Sequence, residues 1–228
     1  SKSVSVGLPS LLAAKILGKK FIIRVAGDYA WEQSAQRFGV NDGIDEFQNK
    51  KYSWRTEFLR KVQKFVVGQA DLVITPSKYF QKLVSEWIKN GGTVMTIYNG
   101  IELNGGSITN AHKEKTILSA GRLVSWKGFD VLIDIMKELS DWNLVIVGDG
   151  PERKNLESKI GSLGLENRVK LTGLVSRGEL LELVGKAAIF ALITSFESFS
   201  FQTVEAMNAG VPVIVTNVGS LPEIVENG

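Results

Sequence analysis

Cysteine does not occur in this 228-residue chain, and histidine occurs once, at His112. A chain without cysteine has no disulfides, no zinc–thiolate site and no thiol nucleophile, and one histidine does not make a histidine-rich metal site. Any catalysis must therefore rest on carboxylates, amines, hydroxyls or backbone groups. His112 falls in a polar stretch, where it is predicted to be an exposed linker residue.

Long apolar runs are also missing. No window approaches the roughly 18 uncharged apolar residues that suggest a membrane-spanning helix. The opening residues, Ser-Lys-Ser-Val-Ser-Val-Gly-Leu-Pro, do not have the layout of a signal peptide. We therefore expect a cytoplasmic protein. Apolar residues make up 44% of the chain and charged residues 22%, which is ordinary for a globular protein with a sizeable core.

Short apolar runs alternate with helix-prone segments along the whole chain. The runs that predict buried strands are residues 21–25, 71–75, 93–98, 116–120, 144–147, 169–172, 188–193 and 212–216. Strands that alternate with helices in this way form parallel sheets. We therefore expect an α/β fold with two doubly wound, Rossmann-like domains that face a cleft.

Two polar stretches interrupt the alternation. Residues 101–115 include Asn-Gly-Gly-Ser, a composition typical of a flexible linker. We place the first domain, with this linker, at residues 1–109 and the second at residues 110–228. Residues 29–50 are also polar and are predicted to be irregular.

The segment around residues 50–64 is strongly basic. Its cations are Lys50, Lys51, Arg55, Arg60, Lys61 and Lys64, against the single acid Glu57. Apolar residues at 54, 58, 59, 62, 65 and 66 recur at helical spacing, which predicts a basic amphipathic helix. Two interpretations stay open: a packed helix with a solvated basic face, or a surface for anionic lipid or a polyanionic acceptor. We expect no nucleic-acid partner, because no recognised binding motif accompanies the charge.

Two carboxylates, Glu197 and Glu205, lie where a predicted strand passes through a loop into a helix. The first turn of such a helix suits a phosphate, and Ser198 or Ser200 is a candidate cap. A carboxylate accepts hydrogen bonds from vicinal hydroxyls, so the pair is compatible with a sugar, a diphosphate and a ribose lying end to end. The alternative is a solvated loop residue and an exposed helix residue, and the spacing alone favours that alternative.

Further polar residues follow other predicted strands, whose carboxyl ends meet at one edge of a parallel sheet. Arg122 has the geometry to fork onto a diphosphate and Lys127 adds a point charge, although each is equally explained as an exposed basic residue. Gly148-Asp149-Gly150 argues only for a tight turn. Asp28 follows the strand at 21–25 and is either a site residue or a turn former.

Several motifs occur together and in order: Gly121-Arg122-Leu123 with Lys127-Gly128, Val147 to Pro151, Glu197 to Glu205 with Ala206-Met207, Gly210 to Val213, and Gly219 to Glu223, preceded by Ala70 to Ser77 and Ile97 to Ile101. With this set the chain resembles the retaining GT-B glycosyltransferases of the glycosyltransferase 4 type. The resemblance covers nearly the whole chain. It implies transfer of a sugar from a nucleoside diphosphate sugar to a hydroxyl of a glycan, a lipid-linked sugar or a small molecule.

The resemblance also implies roles for the site residues. Arg122 and Lys127 would hold the donor diphosphate, with Gly148 in the donor-binding turn, and Glu205 would bind the ribose. Glu197 would lie by the transferred sugar, and the backbone N–H groups of Phe199 and Ser200 would meet the phosphate. The family is expected to transfer with retention by front-face attack, with no cofactor and no metal. A cytoplasmic enzyme is implied, with peripheral contact at the inner face of the cell membrane as an open question.

The chain also departs from this pattern. Ala26 stands where many members carry histidine, so that role does not transfer, and Asp28 is our candidate to take part instead. The family's first strand, its glycine-rich loop and its crossing C-terminal helix are not found, so we expect a fragment truncated at both ends, weakly active or inactive. A nucleotide-binding fragment without turnover is one alternative. A nicotinamide-dependent dehydrogenase is another, disfavoured because no complete Gly-x-Gly-x-x-Gly with a following acid is present.

Overall fold

The computed structural model describes residues 4–88, 92–101 and 114–226. The chain divides into two compact units, residues 1–100 and 101–228. The predicted boundary between residues 109 and 110 lies outside the described residues, as does His112. Among the described helices, none combines the length and the apolar character needed to cross a membrane.

The first unit is built on a three-stranded parallel sheet in the order β1-β2-β3. Its central strand is an apolar run, and Val73 in that strand is fully buried. The elements are α1 (Gly7–Ile16), β1 (Ile22–Arg24), α2 (Tyr29–Arg37), α3 (Ile44–Asn49), α4 (Trp54–Gly68), β2 (Leu72–Thr75), α5 (Lys78–Ser85) and β3 (Thr93–Thr96). Ser77 caps α5 by accepting a hydrogen bond from Phe80 N.

Residues 29–50 are not irregular, so that prediction was wrong. Most of them form α2 and α3, which are short helices with few apolar positions. Helix α2 begins at Asp28, whose side chain accepts from Trp31 N, and α3 buries Ile44 and Phe47. The sequence pattern did not predict these helices because they lack a long apolar stripe. Capping and a few buried side chains stabilise them instead.

Helix α4 forms in the basic segment, but it packs through a different face from the predicted one. The buried residues are Thr56, Arg60, Gln63, Val66 and Val67, whereas the aromatic residues Trp54, Phe58 and Phe65 are exposed. Arg60 donates to the carbonyl oxygens of Phe47 and Lys50. These carbonyls lie at the end of α3, where a helix lacks internal donors. The carbonyl oxygens at the end of α3 need hydrogen-bond donors. Arg60 supplies them, and its charged side chain is therefore buried.

The second unit contains a five-stranded parallel sheet in the order β6-β5-β4-β7-β8. Its elements are β4 (Glu114–Ala120), a short 3-10 turn (Ser125–Lys127), α6 (Phe129–Ile135), β5 (Asn143–Val147), α7 (Arg153–Ser162), β6 (Val169–Gly173), α8 (Arg177–Lys186), β7 (Ala187–Leu192), α9 (Phe201–Asn208), β8 (Val213–Val215) and a 3-10 turn (Leu221–Glu223).

Helices cover both faces of this sheet. Ile117 on the central strand β4 belongs to a core cluster with side chains of α6 and α7. The next residue, Leu118, belongs to a second cluster with side chains of α8 and α9. Successive side chains of a strand point to opposite faces, so the sheet is doubly wound. The predicted α/β class with parallel sheets is confirmed. The loops after β4, β5 and β7 leave the sheet at one edge, where the candidate site lies.

Candidate functional site

The loop after β4 lies directly against the loop after β7. The carbonyl oxygen of Trp126 accepts from Thr194 Oγ1 at 2.9 Å and from Ser195 N at 2.8 Å. Gly128 has φ +64°, and a Cβ at this residue would lie 1.8 Å from the carbonyl oxygen of Ile193. Only glycine permits this approach. The contact brings the residue before Gly128, Lys127, to the carboxylate that follows β7.

Lys127 and Glu197 form an ion pair, with 2.5 Å between Nζ and Oε2. Glu197 is buried, so it is not the solvated loop residue of the alternative interpretation. Its other side-chain oxygen accepts from Phe199 N at 3.4 Å, and its backbone oxygen accepts from Ser220 N at 2.9 Å. The carboxylate is thus held by a cation, a backbone amide and the turn that contains Ser220.

Helix α9 begins beside this carboxylate. Of the two predicted caps, Ser200 is the one that accepts, from Thr203 N at 3.2 Å and from the Thr203 hydroxyl at 2.8 Å. The rings of Phe199 and Phe201 pack edge to face at 5.2 Å. The N–H of Phe199 points at Glu197, as its hydrogen bond shows. The start of α9, with its partial positive charge, therefore adjoins the Lys127–Glu197 pair.

Glu205 is the fifth residue of α9 and is buried, not exposed. Its Oε1 lies 3.3 Å from Nε of Arg177, the first residue of α8. Arg177 was not predicted as a site residue. The signal that marks its position is the capping box of Ser176 and Glu179, which fixes the start of α8. In that box the backbone N–H of Ser176 holds the pKa of Glu179 below its ordinary value.

A second glycine junction joins the loops after β4 and β5. Gly148 has φ +138°, and a Cβ there would lie 1.9 Å from the carbonyl oxygen of Gly121. Leu123 N donates to the carbonyl oxygen of Asp149 at 3.0 Å. Arg122 lies between the two residues that make these contacts and is exposed. The two backbones therefore fix the position from which the Arg122 side chain extends.

Asp28 belongs to the first unit and has a different character. It is 1% exposed. One carboxylate oxygen accepts from Trp31 N and from Gln63 Nε2, and the other accepts from Gln48 Nε2, at 2.9 to 3.0 Å. This is a structural carboxylate that caps α2 and ties it to α3 and α4. The catalytic role of Asp28 stays a prediction, which these hydrogen bonds do not test.

Within the described ranges, no group of three or more His, Cys, Asp or Glu side chains is placed to hold a metal ion. Two ion pairs of the second unit instead bring buried carboxylates to cations: Lys127 with Glu197, and Arg177 with Glu205. This arrangement supplies positive charge, a helix N-terminus and two buried carboxylates. Such groups are suited to phosphate and hydroxyl ligands.

Comparison with known proteins agrees with this chemistry. The model of the family described as glycosyl transferases group 1 matches residues 103–228. An uncharacterized glycosyltransferase of Methanocaldococcus jannaschii is 33% identical over 166 residues, which are 72% of this chain and 45% of that protein. The 2-deoxystreptamine N-acetyl-D-glucosaminyltransferase of Niallia circulans is 34% identical over 119 residues, 50% of this chain and 31% of the relative.

The crystal structure of Anabaena HepE in complex with UDP and glucose is 25% identical, with a TM-score of 0.78. The match covers 98% of this chain and 60% of the HepE chain. Most of the curated relatives match over about half of their length or less. These comparisons give no support to the dehydrogenase alternative. The chain belongs to the group 1 glycosyl transferases, and its structure is that of their GT-B-like members.

Proposed function

We propose that residues 110–228 bind the donor of a retaining glycosyltransferase of the glycosyltransferase 4 type, and that residues 1–109 form the acceptor side. The reaction moves a sugar from a nucleoside diphosphate sugar to a hydroxyl of a glycan, a lipid-linked sugar or a small molecule. The observation that carries the proposal is the Lys127–Glu197 pair, held at the start of α9 with Glu205 further along the same helix.

The diphosphate is assigned to Arg122, Lys127 and the start of α9. Two cations and a helix N-terminus would offset the charge of a diphosphate, to which the Arg122 guanidinium would donate two parallel hydrogen bonds. Gly148 fixes the loop from which Arg122 extends, and the N–H groups of Phe199 and Ser200 are the proposed backbone donors. UDP is the first donor nucleotide to test, because the similar HepE structure contains UDP and glucose.

The two carboxylates are assigned to hydroxyl groups. Glu205 accepts from the ribose hydroxyls, and Arg177 holds one of its oxygens in place. Glu197 accepts from the transferred sugar. Since Lys127 touches Glu197 in this structure, we propose that its ammonium group is shared between the carboxylate and a donor phosphate once the donor is bound. That sharing would couple recognition of the sugar to recognition of the phosphate.

For the reaction we propose front-face attack. The acceptor oxygen bonds to the anomeric carbon on the face that the diphosphate leaves, the bond from that carbon to the phosphate oxygen breaks, and the acceptor proton passes to the leaving phosphate. Retention follows from this geometry. Arg122 and Lys127 stabilise the charge that develops on the leaving group, so the proposal needs no divalent metal. The steps above do not use Asp28, whose side-chain oxygens accept from Gln48 and Gln63 in the first unit.

Calorimetry on the 228-residue chain tests the donor site. We expect UDP to bind one site per chain more tightly than UMP, because the diphosphate contacts are the larger share. NAD is the control ligand for the dehydrogenase alternative. Binding of NAD in preference to UDP, or no binding of UDP, would contradict the proposal.

Turnover is tested on a protein that spans the length of the matched relatives. NMR of the glycoside product is expected to show the anomeric configuration of the donor, with or without a chelator. An inverted product, or activity lost with chelator and restored by one metal, would remove the front-face mechanism. Nucleotide binding without any transfer would favour the alternative of a binding module.

A further inference from the structure

Helix α4 exposes the side chains that an amphipathic helix ordinarily buries. Trp54, Phe58 and Phe65 are 75%, 60% and 54% exposed. With Lys61 they are spaced by four, three and four residues, so all four side chains lie along one stripe of the helix. An exposed aromatic stripe of this kind is typical of an interaction surface.

The opposite face of α4 explains why this stripe stays outside. Gln63 is buried, donates to Asp28 and accepts from Ala30 N. Arg60 is buried against the ring of Phe47, 4.2 Å from its centroid, and donates to the Phe47 carbonyl. Rotating the helix to bury the aromatic residues would leave these polar groups without their partners, which is costly in the interior.

Helix α1 extends the surface. A Cβ on its Gly7 would lie 2.9 Å from Cγ1 of Val66, which shows how closely α1 approaches α4. Lys15 Nζ donates to Gln69 Oε1 at 2.7 Å, at the other end of the contact. Beside this seam α1 and the residue after it expose three apolar side chains, Leu12, Ile16 and Leu17. We call this set of exposed side chains the aromatic-basic surface: Leu12, Ile16, Leu17, Trp54, Phe58, Lys61 and Phe65.

Most of the exposed charges around this surface are positive. Lys15, Lys19, Lys20, Arg55 and Lys61 are exposed, and the guanidinium of Arg55 lies over the Trp54 ring at 5.6 Å. Helix α4 contains one acid, Glu57, and it is paired with Arg60 at 2.9 Å. Aromatic and aliphatic side chains flanked by cations match the boundary between acyl chains and anionic headgroups. A second copy of the chain would bring the same cations face to face.

We propose that the aromatic-basic surface docks the protein on an anionic lipid bilayer, with Trp54, Phe58, Phe65 and Ile16 at headgroup depth. This differs from a purely electrostatic contact through the basic segment, because Arg60 is committed to the interior. The proposal does not depend on the assignment of the donor site. Catalysis takes no part in its test.

Sedimentation of the 228-residue chain with vesicles provides the measurement. Vesicles of phosphatidylcholine are compared with vesicles containing about one-third phosphatidylglycerol, and only the second kind is expected to bind the protein well. Lys61→Glu should weaken binding at least about fivefold. Phe58→Ser should weaken it by roughly tenfold. Lys137→Glu and Leu174→Ser, exposed residues of the second unit, serve as matched controls and should bind like the original chain.

Fluorescence gives a second readout, since Trp54 is the exposed member of the five tryptophans. Vesicles should shift its emission to the blue, and Trp54→Phe should lose the shift while keeping most of the binding. Circular dichroism confirms that the variants fold. Absence of binding to anionic vesicles, equal binding to neutral ones, or losses as large in the control variants would overturn the proposal. So would self-association, without vesicle binding, that Phe58→Ser abolishes.

Discussion

Lys127 and Glu197 face each other across the loops after β4 and β7, with 2.5 Å between Nζ and Oε2 and only 15% and 11% of the side chains exposed. A carboxylate at this depth depends on its cation. Lys127→Ala should lower the free energy of unfolding by about 3 kcal/mol, because Glu197 loses its counter-ion. Denaturant unfolding measures the change.

The matching double variant separates charge from packing. Lys127→Met with Glu197→Gln removes both charges and keeps similar volumes, so it should regain most of the lost stability. If the double variant is as unstable as the sum of the single ones, the pair is not coupled in the way the structure indicates.

Arg122→Ala should weaken the affinity for UDP by roughly ten- to a hundredfold, the usual range for a charge-assisted contact to phosphate. Inorganic diphosphate should suffer a similar loss, because the contact is to phosphate alone. Lys137→Ala is the control, since Lys137 lies in the connection from α6 to the start of β5, away from the edge where the site is. Unchanged calorimetry for Arg122→Ala would remove this residue from the site.

Glu205→Gln should weaken UDP binding by about tenfold while leaving inorganic diphosphate almost unaffected, because only the ribose loses its charged acceptor. Arg177→Ala is expected to act through Glu205. It should also impair UDP more than diphosphate, and it should add little once Glu205 is already Gln. If the losses of UDP affinity in the two variants simply add in the double variant, Arg177 makes a separate contact. If Glu205→Gln weakens UDP and inorganic diphosphate equally, Glu205 does not contact the ribose.

Gly148→Ala should destabilise the second unit by several kcal/mol and reduce UDP binding, since a Cβ would lie 1.9 Å from the Gly121 carbonyl oxygen. Gly185→Ala makes the same chemical change within α8, where nothing lies within 4 Å of the new methyl group. It should stabilise the protein by about 0.5 to 1 kcal/mol. Thermal unfolding compares the two, and equal effects would contradict the glycine junction.

Asp134 and Lys159 connect α6 to α7 at 2.6 Å, and the hydrogen bond from Lys159 lowers the pKa of Asp134 below its ordinary 3.8. The folded state therefore favours the ionised carboxylate, and the stabilisation is present above pH 3.8 and lost as the pH falls through the lowered pKa. Asp134→Asn should be less stable than the original chain at neutral pH, with a difference that vanishes in acid. Lys159→Ala should reproduce this profile in unfolding experiments, and a constant difference would refute the assignment.

The strands of the second unit were predictable to within about two residues, and the reason is physical. Strands β4, β5 and β7 are apolar runs covered by helices on both sides, so their apolar content identifies them. The edge strands β6 and β8 are only partly buried but also contain apolar residues. Glu197 and Glu205 were located by the strand, loop and helix around them. Arg122 and Lys127 were placed near them because the carboxyl ends of parallel strands meet at one edge of the sheet.

The rest depends on contacts between residues far apart in the sequence. Gln63 donates to Asp28, which lies 35 positions earlier in the sequence. The spacing of apolar residues in α4 does not predict that this amide is buried and that the aromatic side chains are exposed. Arg177 could be placed at a helix start from Ser176 and Glu179, but its reach to Glu205 is a tertiary contact. Sequence periodicity carries no information about such pairs.

The glycine junctions at Gly128 and Gly148 have a consequence for how this site can diversify. The distances between its loops are set by backbone atoms, while the groups proposed to meet the donor, such as Arg122, Lys127 and Glu205, are side chains mounted on that frame. Exchanging side chains at this edge of the sheet would change which donor is accepted without moving the frame. Laboratory evolution of new donor preferences should therefore gather its substitutions on the loops and helix starts, and leave the glycines unchanged.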